Sequence, residues 1–156
     1  MLFSKSCEHA IRASVLVASK EAREKRKYIP VRELSQELSI SFHFLTKICQ
    51  ALTEARVMQS FRGPSGGVGL ARPAAHIRLI DIVAAIDGTD RLTGCVLGLP
   101  GCNDNRPCPL HRHWGARREQ ILQMLEQTTL ADLAQVEPRS KRAKSTVTRQ
   151  YLRTQS

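Results

Sequence analysis

Three cysteines and one histidine of this 156-residue chain lie close together in sequence. Cys95, Cys102 and Cys108 are separated by six and then five residues, and His111 follows three positions after the last of them. The run that contains them is rich in Gly, Pro and Asn, which predicts a loop rather than a helix or a strand interior. Because such a loop has little apolar surface to bury, we expect converging thiols that bind a metal to hold it.

The donor set leaves two kinds of metal site open. Three thiolates and an imidazole suit tetrahedral zinc, but zinc sites usually include a Cys-x-x-Cys pair, which this chain lacks. An iron-sulfur cluster takes thiolates at wider spacings, because its iron atoms sit apart and each needs its own ligand. The spacing therefore favours a cluster over zinc. Disulfides are not expected, since the five cysteines are an odd number and the N-terminal residues include no apolar signal segment.

Charge and composition narrow the function classes. The formal net charge is +10, and the excess lies in residues 20–72, with ten Lys or Arg against five Asp or Glu, and in residues 137–156, with six against one. This distribution favours a polyanionic partner such as nucleic acid. No apolar run approaches the roughly 20 residues that cross a bilayer, so we expect a cytoplasmic protein without a membrane partner. The sequence shows no third member of a Cys-His nucleophilic site, so we expect no enzyme.

The first half of the chain predicts a helix-turn-helix. A long first helix over residues 4–25 is followed by a short amphipathic helix over 31–38 and a tight turn at 39–40. Ser41 then caps a second helix, whose outward residues would face a DNA major groove. The predicted DNA contacts of this helix are Ser41, His43, Phe44, Thr46 and Lys47, with Phe42 as an outward neighbour.

Residues 57–73 predict a wing. Two short strands, 57–61 and 68–73, flank the glycine-rich turn Arg62-Gly-Pro-Ser-Gly-Gly. An arginine near the tip of a wing can reach into a minor groove, and glycines let backbone amides approach phosphates closely. The predicted DNA contacts of the wing are Arg62, Gly63 and Ser65.

A helix predicted over 77–88 leads into the cysteine loop, and an apolar stripe begins just before His111. A long helix that projects from a small domain leaves such a stripe in water unless a second copy covers it. We therefore expect a two-fold homodimer with recognition helices roughly 34–36 Å apart, one turn of DNA. Packing of the stripe onto its own domain is the alternative. The stripe consists of Leu110, Trp114, Ile121, Leu122 and Leu125.

Together these elements predict a fold that is mainly α with a small β wing: a winged helix-turn-helix domain plus a long dimerisation helix. The predicted boundaries are 1–88 for the DNA-binding domain, 89–111 for the cysteine-rich cluster-binding loop and 112–136 for the dimerisation helix region. Residues 137–156 form a basic tail with no apolar periodicity, which is predicted to be disordered.

Five motifs follow one another in order over residues 1–135. They are the first helix with its Glu8, Ser41-Phe-His-Phe-Leu-Thr-Lys-Ile, Arg62-Gly-Pro-Ser-Gly-Gly-Val-Gly-Leu-Ala-Arg, Ile82-Val-Ala-Ala-Ile-Asp-Gly and the three cysteines. This ordered set resembles the IscR/NsrR-type family of winged-helix bacterial transcription regulators. The resemblance implies a homodimer that binds a pseudo-palindromic operator as a repressor. It also implies an iron-sulfur cluster that senses redox state, nitric oxide or iron-sulfur supply.

The resemblance also implies a ligand set. The cluster ligands are Cys95, Cys102 and Cys108, and the fourth ligand is either a helix 1 carboxylate that reaches over from the partner subunit, matching Glu8, or the histidine after the last cysteine, matching His111. This chain carries both residues. The six-and-five spacing is closer to the nitric-oxide sensors, and the histidine is closer to the cluster-assembly regulators. Both 2Fe-2S and 4Fe-4S clusters therefore stay open.

Some residues depart from the family or have a simpler interpretation. His43, Phe44 and Lys47 stand where better-known relatives have Ser, Tyr and Gln, so an operator sequence does not transfer to this chain. Glu8 and Arg12 lie one helical turn apart, and without the resemblance they predict an ordinary surface ion pair.

Overall fold

Seven α-helices and one two-stranded antiparallel sheet form residues 2–135, the part of the chain that the computed structural model describes, apart from the side chain of Arg91. The predicted tail at 137–156 lies outside the described residues. The predicted fold class is confirmed. No helix in this part of the chain is long and apolar enough to span a membrane. In order, the elements are α1 (Lys5–Glu24), α2 (Val31–Leu38), α3 (Phe42–Glu54), β1 (Met58–Phe61), β2 (Gly67–Leu70), a short 3-10 helix (Ala74–His76), α4 (Leu79–Ile86), α5 (Asp90–Thr93), α6 (His111–Gln127) and α7 (Leu130–Gln135).

α1 is the helix against which most of the domain packs. Ser4 caps it by accepting the backbone N–H of Cys7 at 3.1 Å, and Lys25 ends it in a left-handed conformation at φ 58°. These ends match the predicted range. Because α1 contacts α2, α3, α4, α7 and β2, its buried face is wide. The buried residues of α1 are Cys7, Ala10, Ala13, Ser14, Val17, Ala18, Ser19 and Lys20.

α2 and α3 form the predicted helix-turn-helix. Ser39, at φ 55°, ends α2 in a left-handed conformation, and Ser41 caps α3 by accepting the backbone N–H of Phe44 at 3.3 Å. The main core beneath them is aliphatic, as expected from the low aromatic content. Its fully buried side chains include Val17, Ile29, Leu34, Leu45, Leu52, Val57, Ile77, Ile82 and Leu130.

A buried lysine ties α1 to α2. The Lys20 side chain is 10% exposed and lies 2.6 Å from Glu37 and 2.9 Å from Glu33. Burial lowers the pKa of Lys20, but the hydrogen bonds to these carboxylates outweigh it and hold the pKa above its usual range. Arg26 donates two 2.8 Å bonds to Glu33, and together with Lys20 it lowers the pKa of that carboxyl to about 2. This network fixes α2 on α1.

The wing follows α3 as predicted. β1 and β2 pair antiparallel around a turn at 62–66. Ile29 exchanges two 2.9 Å backbone hydrogen bonds with Val68, so the segment before α2 joins the edge of the sheet. Gly69 allows this close approach, because a Cβ there would lie 2.1 Å from the carbonyl oxygen of Lys27.

One arginine joins the base of the wing to α4. Arg72 donates to the backbone oxygens of Arg56 and His76 at 3.1 and 3.0 Å, and it pairs with Asp81 of α4 at 2.8 Å. Because Arg56 lies just after α3, Arg72 anchors α3, the wing and α4 to one another.

A second, smaller core lies where α6 packs against α4. Leu125 of α6 is fully buried there together with Cys7 and Leu92, and Ile121 and Leu122 pack against the same cluster. The C-terminal half of the predicted stripe is therefore covered by its own domain, which was the alternative interpretation. Up to residue 135, the predicted region 112–136 consists of two helices, and Thr128 and Thr129 separate them. The large apolar side chains that stay exposed on α6 and at its N-cap are Met124 and Leu110.

Candidate metal centre and nucleic-acid interface

The three cysteines converge in the structure. Their Sγ atoms all lie within 4.8 Å of one another, and those of Cys95 and Cys108 are 3.7 Å apart. The Sγ atom of Cys102 lies 3.3 Å from Nδ1 of His111. The three thiols thus converge, and the imidazole of His111 adjoins one of them at the start of α6. Three thiols and an imidazole fit a cluster or a zinc ion.

Turns of the loop backbone bring these thiols together. The N–H of Gly98 donates to the carbonyl oxygen of Cys95 at 2.9 Å, and the N–H of His111 donates to that of Cys108 at 3.0 Å. Gly98 and Gly101, at φ 64° and 76°, adopt left-handed conformations that favour glycine. The Gly content that excluded regular structure therefore shapes the site.

α6 anchors the start of the loop. Nε1 of Trp114 donates to the carbonyl oxygen of Gly94 at 2.9 Å, and Arg118 donates to that of Thr93 at 2.6 Å. Trp114, predicted as part of the dimer stripe, thus holds the cysteine loop instead. Both side chains also line a cavity of about 230 Å³ that contains the three cysteines and His111.

The thiols differ in their affinity for protons. Backbone N–H groups of Leu99 and Leu97 lower the pKa of Cys95 to about 7. The backbone N–H of Cys108 lowers the pKa of Cys102, but partial desolvation and the neighbouring sulfurs of Cys95 and Cys108 outweigh it and raise that pKa above its usual value. The Cys95 thiol is therefore partly ionised near neutral pH, and the thiolate is the form that binds metals.

A carboxylate orients the histidine. Nε2 of His111 lies 2.9 Å from Oδ1 of Asp104, while Nδ1 faces Cys102. With its Nε2–H donated to the carboxylate, the ring presents the Nδ1 lone pair to the Cys102 sulfur, as carboxylates behind metal-binding histidines make them do. The sequence analysis did not identify Asp104, and it found no third residue that would act together with a Cys and a His. The available signal was the position of Asp104, two residues after Cys102 in a loop that folds back on itself.

Glu8, the other predicted fourth ligand, does not join the site within its own chain. Among residues 2–135, the three cysteines form the only group of three or more Cys, His, Asp or Glu residues whose ligand atoms all lie within 4.8 Å of one another. Glu8 pairs with Lys5 at 2.6 Å, and the predicted ion pair with Arg12 is not formed. Arg12 instead donates to the carbonyl oxygen of Leu38 at the end of α2, at 3.2 Å. A contribution of Glu8 to a partner subunit stays a prediction.

The residues predicted to read DNA lie at the N-terminal end of α3. His43, Phe44 and Lys47 are exposed, and Ser41 is the exposed N-cap. Thr46 is half-buried and donates its hydroxyl to the helix backbone at 2.8 Å. The polar and aromatic side chains predicted to face a groove are therefore accessible on one end of the recognition helix.

α1 and α2 brace this end of α3. The ring of His9 meets the ring of Phe44 edge-on, with centroids 5.8 Å apart and planes at 87°. The guanidinium of Arg32 in α2 lies 5.1 Å from the ring centroid of Phe42. These contacts were not predicted, because they join residues that are distant in sequence.

The predicted wing contacts lie in the exposed turn. Arg62, Gly63 and Ser65 are all exposed, and Gly63 has φ 119°. An aromatic pair that sequence reasoning missed lies beside them: Phe61 stacks on Tyr28 at 5.1 Å and 23°. Phe61 could have been identified from the sequence, because it is an aromatic residue at the end of a short predicted strand in a chain with few aromatic residues.

Comparison with known protein families agrees with this architecture. The family model named Rrf2 and described as "Iron-dependent Transcriptional regulator" matches residues 3–136. A "Putative HTH-type transcriptional regulator" of Aquifex aeolicus (strain VF5) is 28% identical over 139 residues, which cover 88% of this chain and 94% of that protein. "HTH-type transcriptional regulator IscR" of Yersinia pseudotuberculosis serotype O:1b (strain IP 31758) is 30% identical over 105 residues, 67% of this chain and 63% of that protein. The match thus spans less than two thirds of the Yersinia relative.

Solved structures share the fold at lower identity. CymR of B. subtilis, described as the global cysteine regulator, has a TM-score of 0.70 at 22% identity, covering 85% of this chain and 95% of that one. IscR of T. potens has a TM-score of 0.66 at 20% identity, covering 85% of each chain. The resemblance that the ordered motifs predicted is confirmed, and the chain belongs to the Rrf2 family of winged-helix transcriptional regulators, which act by binding DNA.

Proposed function

We propose that this protein is a homodimeric, sequence-specific repressor of the cytoplasm whose DNA binding is controlled by an iron-sulfur cluster on Cys95, Cys102 and Cys108. The observation that carries the proposal is that the three thiols lie within 4.8 Å of one another in a loop that contains no buried side chain. When bound, such a cluster supplies a tie between the thiolates that oxidants, nitric oxide or iron shortage can break.

His111 is the fourth ligand that this chain favours. Its Nδ1 already lies 3.3 Å from a ligand sulfur, and Asp104 holds the opposite ring nitrogen. Glu8 of the partner subunit is the alternative, and it pairs with Lys5 within its own chain. A histidine ligand fits 2Fe-2S chemistry as well as 4Fe-4S, so the cluster type is a question for the experiment.

A chain of contacts joins the loop to the recognition helix. The loop begins directly after α5, and α6 holds that junction through Trp114 and Arg118. Three residues before α5, Asp87 accepts hydrogen bonds from the backbone N–H of Ser4, at 2.8 Å, and from its hydroxyl. Ser4 is the N-cap of α1, so a change in the loop that moves Asp87 also moves the start of α1.

α1 transmits such a displacement to α3. His9 contacts the Phe44 ring, and Arg12 holds the carbonyl oxygen of Leu38 just before the turn of the helix-turn-helix. His9 and Arg12 lie five and eight residues after Ser4. When the thiols are no longer tied, a small rotation of α1 therefore changes the angle of α3. In a dimer, such a change moves both recognition helices out of register with two half-sites at once.

The dimer in this proposal uses the exposed part of α6. Met124 is 51% exposed and Leu110 is 43% exposed, whereas the neighbouring Leu125 is fully buried. A second copy of this helix would cover the exposed residues by two-fold symmetry. We expect Met124→Arg to weaken the dimer in sedimentation measurements, and Gln123→Arg, at the next exposed position, to serve as the control.

Zinc remains a second candidate because of one distance. Tetrahedral zinc with bonds of about 2.3 Å holds its sulfur ligands about 3.8 Å apart. The Cys95 and Cys108 sulfurs are 3.7 Å apart. A zinc site would keep the DNA-binding function and remove the sensing of redox state or nitric oxide.

Operator binding in two metal states tests the proposal. A duplex is enriched from a random pool with anaerobically purified protein, and its affinity is then measured for loaded protein, cluster-free protein and Cys102→Ala. We expect loaded and cluster-free protein to differ at least tenfold, and Cys102→Ala to bind like the cluster-free form. Equal affinity in all three would reject cluster control while leaving DNA binding intact.

A further inference from the structure

Three of the four phenylalanines of this chain are exposed, and all three lie in the helix-turn-helix or the wing. Phe42 and Phe44, in the first turn of α3, are each 38% exposed. The domain core is aliphatic and uses no phenylalanine among its buried residues. Exposed phenylalanines that lie together on one end of a helix form an apolar patch, and such patches mark interaction sites.

Phe42 is held in place without being covered. The Arg32 guanidinium lies 5.1 Å from its ring centroid, and the ring of His43 meets it at 5.7 Å and 70°. A cation and a second ring thus fix the orientation of Phe42, while a large part of its surface stays open.

Thr46 adds a second apolar group one turn along α3. Its hydroxyl donates to the carbonyl oxygen of Phe42 at 2.8 Å, so this donor is used within the helix. The γ-methyl is the remaining end of the side chain. Residues four apart share one face of a helix, so Phe42 and Thr46 form an apolar strip beside the polar His43 and Lys47.

We propose that this strip, Phe42 and Thr46, reads the 5-methyl groups of thymine in each operator half-site, an inference that rests on the proposed DNA-binding function. The thymine methyl is the apolar group on the major-groove edges of base pairs, and Phe and the Thr methyl are side chains that contact it. Arg32 and Lys47 flank the strip, and cations beside an apolar strip suit a duplex with its phosphates better than a second protein surface.

Uracil substitution in the operator tests the inference. Uracil lacks the 5-methyl group and keeps every hydrogen-bonding group of thymine. An operator is enriched from random duplexes with the full-length wild-type protein, and each thymine is then replaced singly by uracil. We expect one or two positions in each half-site where the replacement weakens binding about threefold to fivefold.

Matched variants assign these positions to side chains. Thr46→Ser removes only the γ-methyl and keeps the hydroxyl that bonds to the helix. We therefore expect the Thr46→Ser protein to fold even if the Phe42→Ala protein does not. Each variant lacks one of the two apolar groups. At the operator position that this group contacts, the variant should bind thymine and uracil operators equally, so the ratio of the two affinities should fall to about 1. Phe61→Ala is the control, because Phe61 is an exposed phenylalanine of the wing, and it should keep the wild-type ratio.

The outcomes separate this inference from the proposed function. An enriched operator that tolerates uracil at every thymine, or variants that keep the wild-type ratio, overturn the inference and leave the regulator standing. A wild-type protein that enriches no sequence overturns the proposed function and this inference with it. If Phe42→Ala changes the oligomeric state in sedimentation instead, the strip is an interface between copies and the inference is wrong.

Discussion

The helix-turn-helix domain and the cysteine loop are held together by different means. Leu34, Leu45 and Leu52 of the domain are fully buried in an aliphatic core, whereas residues 94–111 contain no buried side chain. The loop depends on its own turns, on two hydrogen bonds from α6 and on the meeting of its thiols. The domain can therefore keep its shape alone, while the shape of the loop depends on what the thiols bind.

This difference suits a protein in which a stable DNA-binding domain is joined to a less stable sensing loop. Local stability varies within proteins, and the segments that switch come from the least stable regions. Asp87, which lies between α4 and the loop, bonds to Ser4 and so joins the segment before the loop to the start of α1.

Truncation of the domain core has the largest expected effect. Leu45→Ala leaves a cavity under α3 and should lower the free energy of unfolding by about 2–5 kcal/mol, because Leu45 is fully buried. Urea unfolding of the metal-free protein measures it. Leu97→Ala, at a half-exposed leucine of the cysteine loop, is the matched control and should cost less than about 0.5 kcal/mol. Equal losses would mean that the loop shares the domain core.

Removal of the link between the regions has an intermediate effect. Asp87→Ala leaves two hydrogen-bonding groups of Ser4 without their acceptor and should cost about 1–2 kcal/mol in urea unfolding. It should also reduce the difference in operator affinity between loaded and cluster-free protein. Asp132→Ala is the control, because Asp132 bonds only Thr129 of its own short helix end. If Asp87→Ala keeps the full difference in affinity, coupling does not pass through α1.

The ion-pair network of α1 and α2 makes part of the domain's stability depend on pH. Hydrogen bonds from Arg26 and Lys20 hold the pKa of Glu33 at about 2, below its ordinary value of 4.5. Its stabilising contribution is therefore fully present above pH 4.5 and is lost as the pH falls towards 2. The stability difference between wild type and Glu33→Gln, from urea unfolding at several pH values, should shrink over that window. A constant difference would show that the charge of Glu33 is not its cause.

A cysteine substitution should have the smallest effect on the unloaded protein. Cys102→Ala should change the free energy of unfolding of the metal-free protein by less than about 0.5 kcal/mol, because Cys102 lies outside both cores. Thermal melts with and without reconstitution by iron and sulfide measure it. Reconstitution should raise the midpoint of the wild type and leave that of the variant unchanged. Destabilisation of the metal-free variant would place Cys102 in the core.

The helices and the wing could be predicted because their signals are local. Ser4 and Ser41 cap α1 and α3 as expected, and the glycine-rich turn joins the two strands. α4 is shorter than the predicted range 77–88. It begins at Leu79 because the carbonyl oxygen of Ile77 accepts a 2.8 Å hydrogen bond from the backbone N–H of Leu130, a partner that no local pattern reveals.

The site could be predicted only in part for the same reason. Residue type and spacing identified the three cysteines and His111, since ligand chemistry follows from side-chain type. Asp104, Trp114 and the bracing of Phe44 by His9 depend on how distant segments meet, and spacing carries no information on that. The apolar stripe of α6 was read as one face, but the fold divides it between the second core and the surface.

The most direct test of the proposed cluster is the visible absorption spectrum of protein purified without oxygen, with iron, sulfide and zinc assays on the same sample. We expect a brown protein that contains nearly equal iron and acid-labile sulfide, and a colourless Cys102→Ala variant that contains neither. A colourless wild-type protein that iron and sulfide cannot reconstitute, and that holds about one zinc ion per chain, would contradict the proposal and leave a DNA-binding regulator with a structural metal.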